Sequence, residues 1–98
     1  MKEFKLKELF SIVDGRLSTE MNTVYDILNT ASGESLTTIA LPIICDMVKK
    51  QRPKWYVDAE TDLNKIKERH GNVFNVLMHE LSMCNKKYVV SKLINNIK

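Results

Sequence analysis

GNVFNVLMHELSMCNKKYVVSKLINNIK, residues 71–98, decides between an all-helical chain and one that carries β structure. Val73, Val76, Leu77 and Leu81 keep the three- and four-residue spacing of an amphipathic helix, but Val73-Phe74-Asn75-Val76 equally suits a strand. Tyr88, Val89, Val90, Leu93, Ile94 and Ile97 predict a closing helix, although Tyr88-Val89-Val90 could begin as a strand.

Working back from Gly71, the chain is helical by the same test. Ala59–His70 turns Leu63 and Ile66 inward, carries Glu60 and Asp62 in its first turn and stops at Gly71. Lys54–Asp58 is expected as a short extended link, with Trp55 and Tyr56 laid over the core, because Arg52-Pro53 closes the preceding segment. That segment, Leu36–Lys50, shows Leu36, Ile39, Ala40, Ile43, Ile44, Met47 and Val48 on one broad face. Pro42 places its helical start near Leu41, with Thr38 as upstream cap. Met21, Val24, Tyr25, Leu28 and Ala31 form an earlier stripe, entered through Ser18-Thr19 and ended at Ser32-Gly33. Phe4, Leu6, Leu9, Phe10 and Val13 make the first, a helix over Glu3–Asp14 ended by Gly15. The prediction is a mainly α, single-domain helical fold over residues 1–98, with an α+β variant carrying a short β element after Gly71.

Ninety-eight residues, 44% hydrophobic and 28% charged, support one modest core and no second domain. The longest apolar run, Ile39–Cys45, is interrupted by Pro42 and falls far short of the ~20 residues a membrane span needs. Met1-Lys2-Glu3-Phe4-Lys5 lacks the apolar segment of a signal peptide, so a cytoplasmic location is expected. Cys45 and Cys84, each in an apolar segment, read as reduced core thiols.

Charge is unevenly spread. Residues 1–50 are net −1 and residues 51–98 net +4. Two basic clusters stand out: Lys49, Lys50, Arg52 and Lys54, then Lys86, Lys87, Lys92 and Lys98. A solvated surface with helix-end cations accounts for them; an anion-facing patch for a nucleotide, nucleic acid or acidic protein is the functional alternative.

Catalytic constellations are scarce. His70 and His79 have no cysteine or carboxylate at zinc-like spacing, and Cys84 does not share a helix face with His79. No phosphate-binding glycine loop, dinucleotide fingerprint or nucleophile elbow occurs. Neither an enzyme nor a metal or cofactor is expected. A helix-turn-helix is disfavoured because the first half is net acidic and its helices lack a base-reading face; Ser91, Lys92, Asn95 and Asn96 could only touch phosphates.

Several stretches resemble a family of small phage and prophage proteins. They are Leu9-Phe10-Ser11-Ile12, Gly15-Arg16-Leu17, Val24-Tyr25-Asp26-Ile27-Leu28-Asn29, Gly33-Glu34-Ser35-Leu36, Thr38, Leu41-Pro42 and Lys50-Gln51-Arg52-Pro53-Lys54-Trp55. The match runs over about residues 4–58 with order and spacing kept. The chain departs from the family at Ile43, where a basic residue usually follows Leu-Pro, and at Asp14, where Thr is common; its C-terminal third is shorter and richer in Lys and Asn. That family is similar to the anti-Thoeris phage proteins, oligomeric sponges that bind a cyclic ADP-ribose-type signal without cleaving it.

The resemblance implies a non-catalytic, phage-encoded host-defence antagonist in the host cytoplasm, a homo-oligomer that sequesters a cyclic nucleotide. Such binding needs cations for pyrophosphate, an aromatic face and polar groups for ribose hydroxyls. Arg16, Arg52 and Arg69, all at segment ends, with Phe74 and Asn75, are the candidate ligand-binding residues; Trp55 and Tyr88 are further aromatic candidates. The alternatives are a direct protein inhibitor of a host defence complex, such as a CRISPR inhibitor, and a small DNA-binding phage regulator.

Overall fold

Residues 2–16, 19–33 and 41–93 are described by a computed structural model. Strand β1 (Lys2–Lys5) leads into helices α1 (Leu6–Val13), α2 (Met21–Ser32), α3 (Leu41–Gln51), α4 (Lys54–His70) and α5 (Phe74–Ser82), and strand β2 (Lys87–Val90) follows. The fold is therefore mainly helical with a small β element, the α+β variant of the expectation. Thr38, Leu36, Ile39 and Ala40, with Ile94, Asn95, Asn96, Ile97 and Lys98, lie outside the described residues.

Lys87-Tyr88-Val89-Val90 forms a strand, the alternative open for Tyr88-Val89-Val90, in place of the start of a closing helix. Its burial alternates, with Tyr88 and Val90 inside and Lys87 and Val89 outside, and a period of two is a strand's signature. Its antiparallel partner is β1, in the register Lys2↔Val90, Phe4↔Tyr88 and Lys5↔Lys87. The first helix accordingly begins later than Glu3. Phe4 alone of β1 points inward, and Glu8 accepts a hydrogen bond from the Lys5 backbone N–H (2.9 Å) at the start of α1. Leu6, Leu9, Phe10 and Ile12 then bury the inner face of α1.

α2 buries Val24, Ile27, Leu28 and Ala31 and ends at Gly33, whose φ of +79° and N–H bond to the Asn29 carbonyl (2.8 Å) make a left-handed helix stop. Pro42 sits in the first turn of α3, where its missing N–H costs no helical bond. That helix is peripheral: Val48 is fully buried, while Ile44, Cys45 and Met47 are half-buried. Arg52, at φ +48°, and Pro53 turn the chain into α4.

α4 corrects the extended link expected at Lys54–Asp58. Proline tolerates the cap position of a new helix as readily as it ends an old one, and Pro53 caps α4 with extended backbone. Trp55, Ala59 and Leu63 fall at four-residue intervals on its buried face, joined by Tyr56. α4 packs on α1, α5 and β2 and so forms the spine of the core. The ambiguous segment after Gly71 is helical, with Leu77 and Leu81 inward. Cys45 and Cys84 are free, half-buried thiols. Among the described residues no helix is long and apolar enough to cross a membrane.

Candidate functional site

The first turn of α4 and β2 with its flanking residues border a cleft of about 470 Å³. Lys54, Trp55 and Asp58 form one wall; Lys86, Lys87, Tyr88, Val89 and Ser91 form the other. The two basic clusters, remote in sequence, thus meet through Lys54 on one side and Lys86-Lys87 on the other.

The cations differ in their engagement. Lys54 Nζ lies 2.9 Å from Asp58 Oδ2, an exposed pair one helical turn apart. Lys86 Nζ donates to Asp62 Oδ2 (2.8 Å), and the buried Tyr88 hydroxyl donates to the same oxygen (2.6 Å). Burial raises the Asp62 carboxyl, but these two hydrogen bonds outweigh it and its pKa is lowered. Burial, then the bond to Asp62, raises the Tyr88 phenol, so it remains a neutral donor. Lys87 has no carboxylate partner among the described residues. The indole N–H of Trp55 is buried without an acceptor although the residue belongs to the cleft wall. A buried donor left unmade costs ~1–3 kcal/mol.

The residues expected from sequence do not form one site. Arg16 and Phe74 do come together, in a clasp between the end of α1 and the start of α5. The Arg16 guanidinium spans Asp14 (2.6 and 3.3 Å) and donates to the Asn72 side chain (2.6 Å) and carbonyl (3.1 Å). It also lies over the rings of Phe10 and Phe74, at 5.4 and 5.7 Å. Asp14 is nearly buried and takes a second cation, Lys67 (2.7 Å). The Arg16 hydrogen bond, with further help from Lys67, overcomes desolvation and brings the Asp14 carboxyl down to about 2. Four of the five N–H groups of the partly exposed Arg16 guanidinium are therefore engaged by Asp14 and Asn72.

Arg52 is paired with Glu60 (2.8 Å) and lies over the Tyr56 ring. Arg69 is exposed in the last turn of α4, about 22 Å along the helix from Lys54 at a rise of ~1.5 Å per residue. Asn75 is exposed on α5. His70 faces Glu80 (3.3 Å), and among the described residues no group of three metal-ligating side chains gathers. The cleft residues were visible in sequence only as separate basic clusters and aromatics. The signal that joins them is the two-residue alternation of β2, which turns Lys87 outward beside Lys86.

No curated protein and no solved structure matches the chain. A family model described as a domain of unknown function (DUF7736) matches residues 4–62, from Phe4 in β1 to Asp62 in α4. The match takes in the α4 wall of the cleft and stops short of the β2 wall. With more than half of its residues inside that match, the chain belongs to the DUF7736 family.

Proposed function

We propose that this protein works by binding, not by catalysis, and that it holds a small anionic nucleotide signal in the cleft between α4 and β2. The observation that carries this reading is the convergence of Lys54, Lys86 and Lys87 on a cavity that Trp55 and Tyr88 help to line. Its volume falls within the ~300–1,000 Å³ of ordinary small-molecule sites. The resemblance to small phage and prophage proteins supports a finer version: a host-defence antagonist that sequesters a cyclic ADP-ribose-type signal as an oligomer in the host cytoplasm.

The test is calorimetry with a panel of cyclic and linear nucleotides, with duplex DNA as control. Saturable binding of a nucleotide without turnover supports the reading; absence of binding across the panel rejects it. A second reading, direct inhibition of a host defence protein, is favoured by exposed Val73, Val76 and Met83 around α5, an apolar surface such a partner could cover.

A further inference from the structure

Three ammonium groups and one carboxylate line the cleft, Lys54, Lys86, Lys87 and Asp58, and a second carboxylate, Asp62, pairs with Lys86, for a local net charge of +1. They are not equivalent. Lys86 is held by Asp62, which also fixes Tyr88, so its position is part of how β2 sits on α4. Lys54 is 88% exposed along its side chain, and its pair with Asp58 is of the kind that yields readily to a competing anion. Lys87 meets no carboxylate among the described residues, and it projects from the outward face of β2.

From this division we infer that the cleft is a seat for a single doubly charged phosphate or pyrophosphate group, anchored by Lys87 and by Lys54 after its release from Asp58. The inference rests on the reading of the protein as a nucleotide binder and narrows it in charge and place. Lys86 acts as a positioning residue through Asp62 and Tyr88. A dianion meets the two ammonium groups of Lys54 and Lys87 one for one, and the compact cleft suits a mononucleotide better than a long polyanion.

Asp58 then has a definite role. It competes with the ligand for Lys54, so removing its charge tightens binding instead of weakening it. A merely structural Asp58 would not behave in that way.

Trp55 is the one tryptophan of the chain, so its emission reads the cleft directly. The experiment titrates AMP, ADP and inorganic pyrophosphate into the unaltered protein, Lys87→Gln and Asp58→Asn, by fluorescence and calorimetry, with a thermal melt of each variant. Expected are a change in Trp55 emission on binding, affinity about tenfold weaker in Lys87→Gln, and affinity several-fold tighter in Asp58→Asn, with both variants folded. Affinity of the unaltered protein should fall with salt as for release of about two counterions, not the six or more of a nucleic-acid complex. Calorimetric binding that leaves Trp55 emission and both variants' affinities unchanged overturns this seat while leaving the nucleotide reading in place. Absence of calorimetric binding for all three probes and for cyclic nucleotides overturns both. Tight binding of duplex DNA with a steep salt slope overturns the seat in favour of a polyanion surface.

Discussion

Replacing Asp14 with asparagine tests the clasp that ties α1 to α4 and α5. The substitution keeps the shape of the side chain and removes the charge that Arg16 and Lys67 face at 2.6 and 2.7 Å. The carboxyl is held at about 2 in place of its ordinary 3.8. At ~1.4 kcal/mol per pH unit of difference, that corresponds to about 2 kcal/mol of folding free energy. Arg16 is partly exposed and solvent screens its share, so the expected loss for Asp14→Asn at pH 7 is about 1–2 kcal/mol. The sign follows from the lowered value. The contribution is full above the unfolded-state pKa and drains away as pH falls from about 4 toward 2. Urea denaturation of both proteins between pH 7 and pH 3 measures it, and the gap between them should narrow by about half at the acid end. A gap that stays constant across this range, or one below about 0.5 kcal/mol at pH 7, would show that the ion pairs do not lower the Asp14 pKa as their geometry demands.

Gly15 and Gly33 sit at φ +95° and +79°, so alanine at either should cost about 1 kcal/mol by chemical denaturation, through backbone strain; the added Cβ at Gly33 would meet only the flexible stem of Lys92. Arg16→Lys cannot reproduce the fork onto Asp14 and Asn72, so it should lower the melting temperature while leaving nucleotide affinity unchanged; the opposite pattern would restore Arg16 as a ligand contact. Arg52→Gly relieves a left-handed residue at φ +48° at the cost of an exposed pair with Glu60, and a net gain of about 0.5 kcal/mol is expected in the same denaturation assay. Exposed Val73, Val76 and Met83 predict at least a dimer in light scattering at tens of micromolar, against 11.3 kDa for a monomer.

Where contacts are local, residue spacing was enough to place them. The stripes of α1, α2 and α4, the stops at Gly15 and Gly33 and the start of α3 at Leu41 all depend on neighbours within a few turns. The two strands do not. Phe4 and Leu6 both point inward on either side of the β1–α1 junction, so Phe4 extends the helical stripe of α1 in sequence while its backbone belongs to a strand. Tyr88-Val89-Val90 likewise leads smoothly into a following apolar repeat. Trp55 and Tyr56 lie against the core as expected, but on a helix and not on an extended link, since Pro53 both follows α3 and caps α4, and only the interval to Ala59 and Leu63 separates the two roles. The cleft stays hidden for both reasons: it needs α4 to begin at Lys54 and Tyr88-Val89-Val90 to take its strand alternative, and neighbouring residues decide neither. Arg16 was read as a ligand contact because an arginine beside a glycine turn is chemically suited to phosphate. Asn72 and Phe74, which occupy it, arrive from far along the chain.

The pairing of β1 with β2 bears on the order in which this molecule can assemble. The ladder joins Lys5 to Lys87, so its closure spans nearly the entire chain and its entropic cost is met before any strand contact is gained. α1 with α2, α2 with α3 and α4 with α5 can condense early, because each pair is adjacent in the chain. Phe4, Tyr88 and Val90 dock only when the span has closed, and the β2 wall of the cleft docks with them. During synthesis on the ribosome, the α4 wall therefore emerges before its β2 counterpart, and the cleft forms only once both have docked. A bound anion bridging the two walls would act as a latch on that final step, slowing unfolding more than it speeds folding.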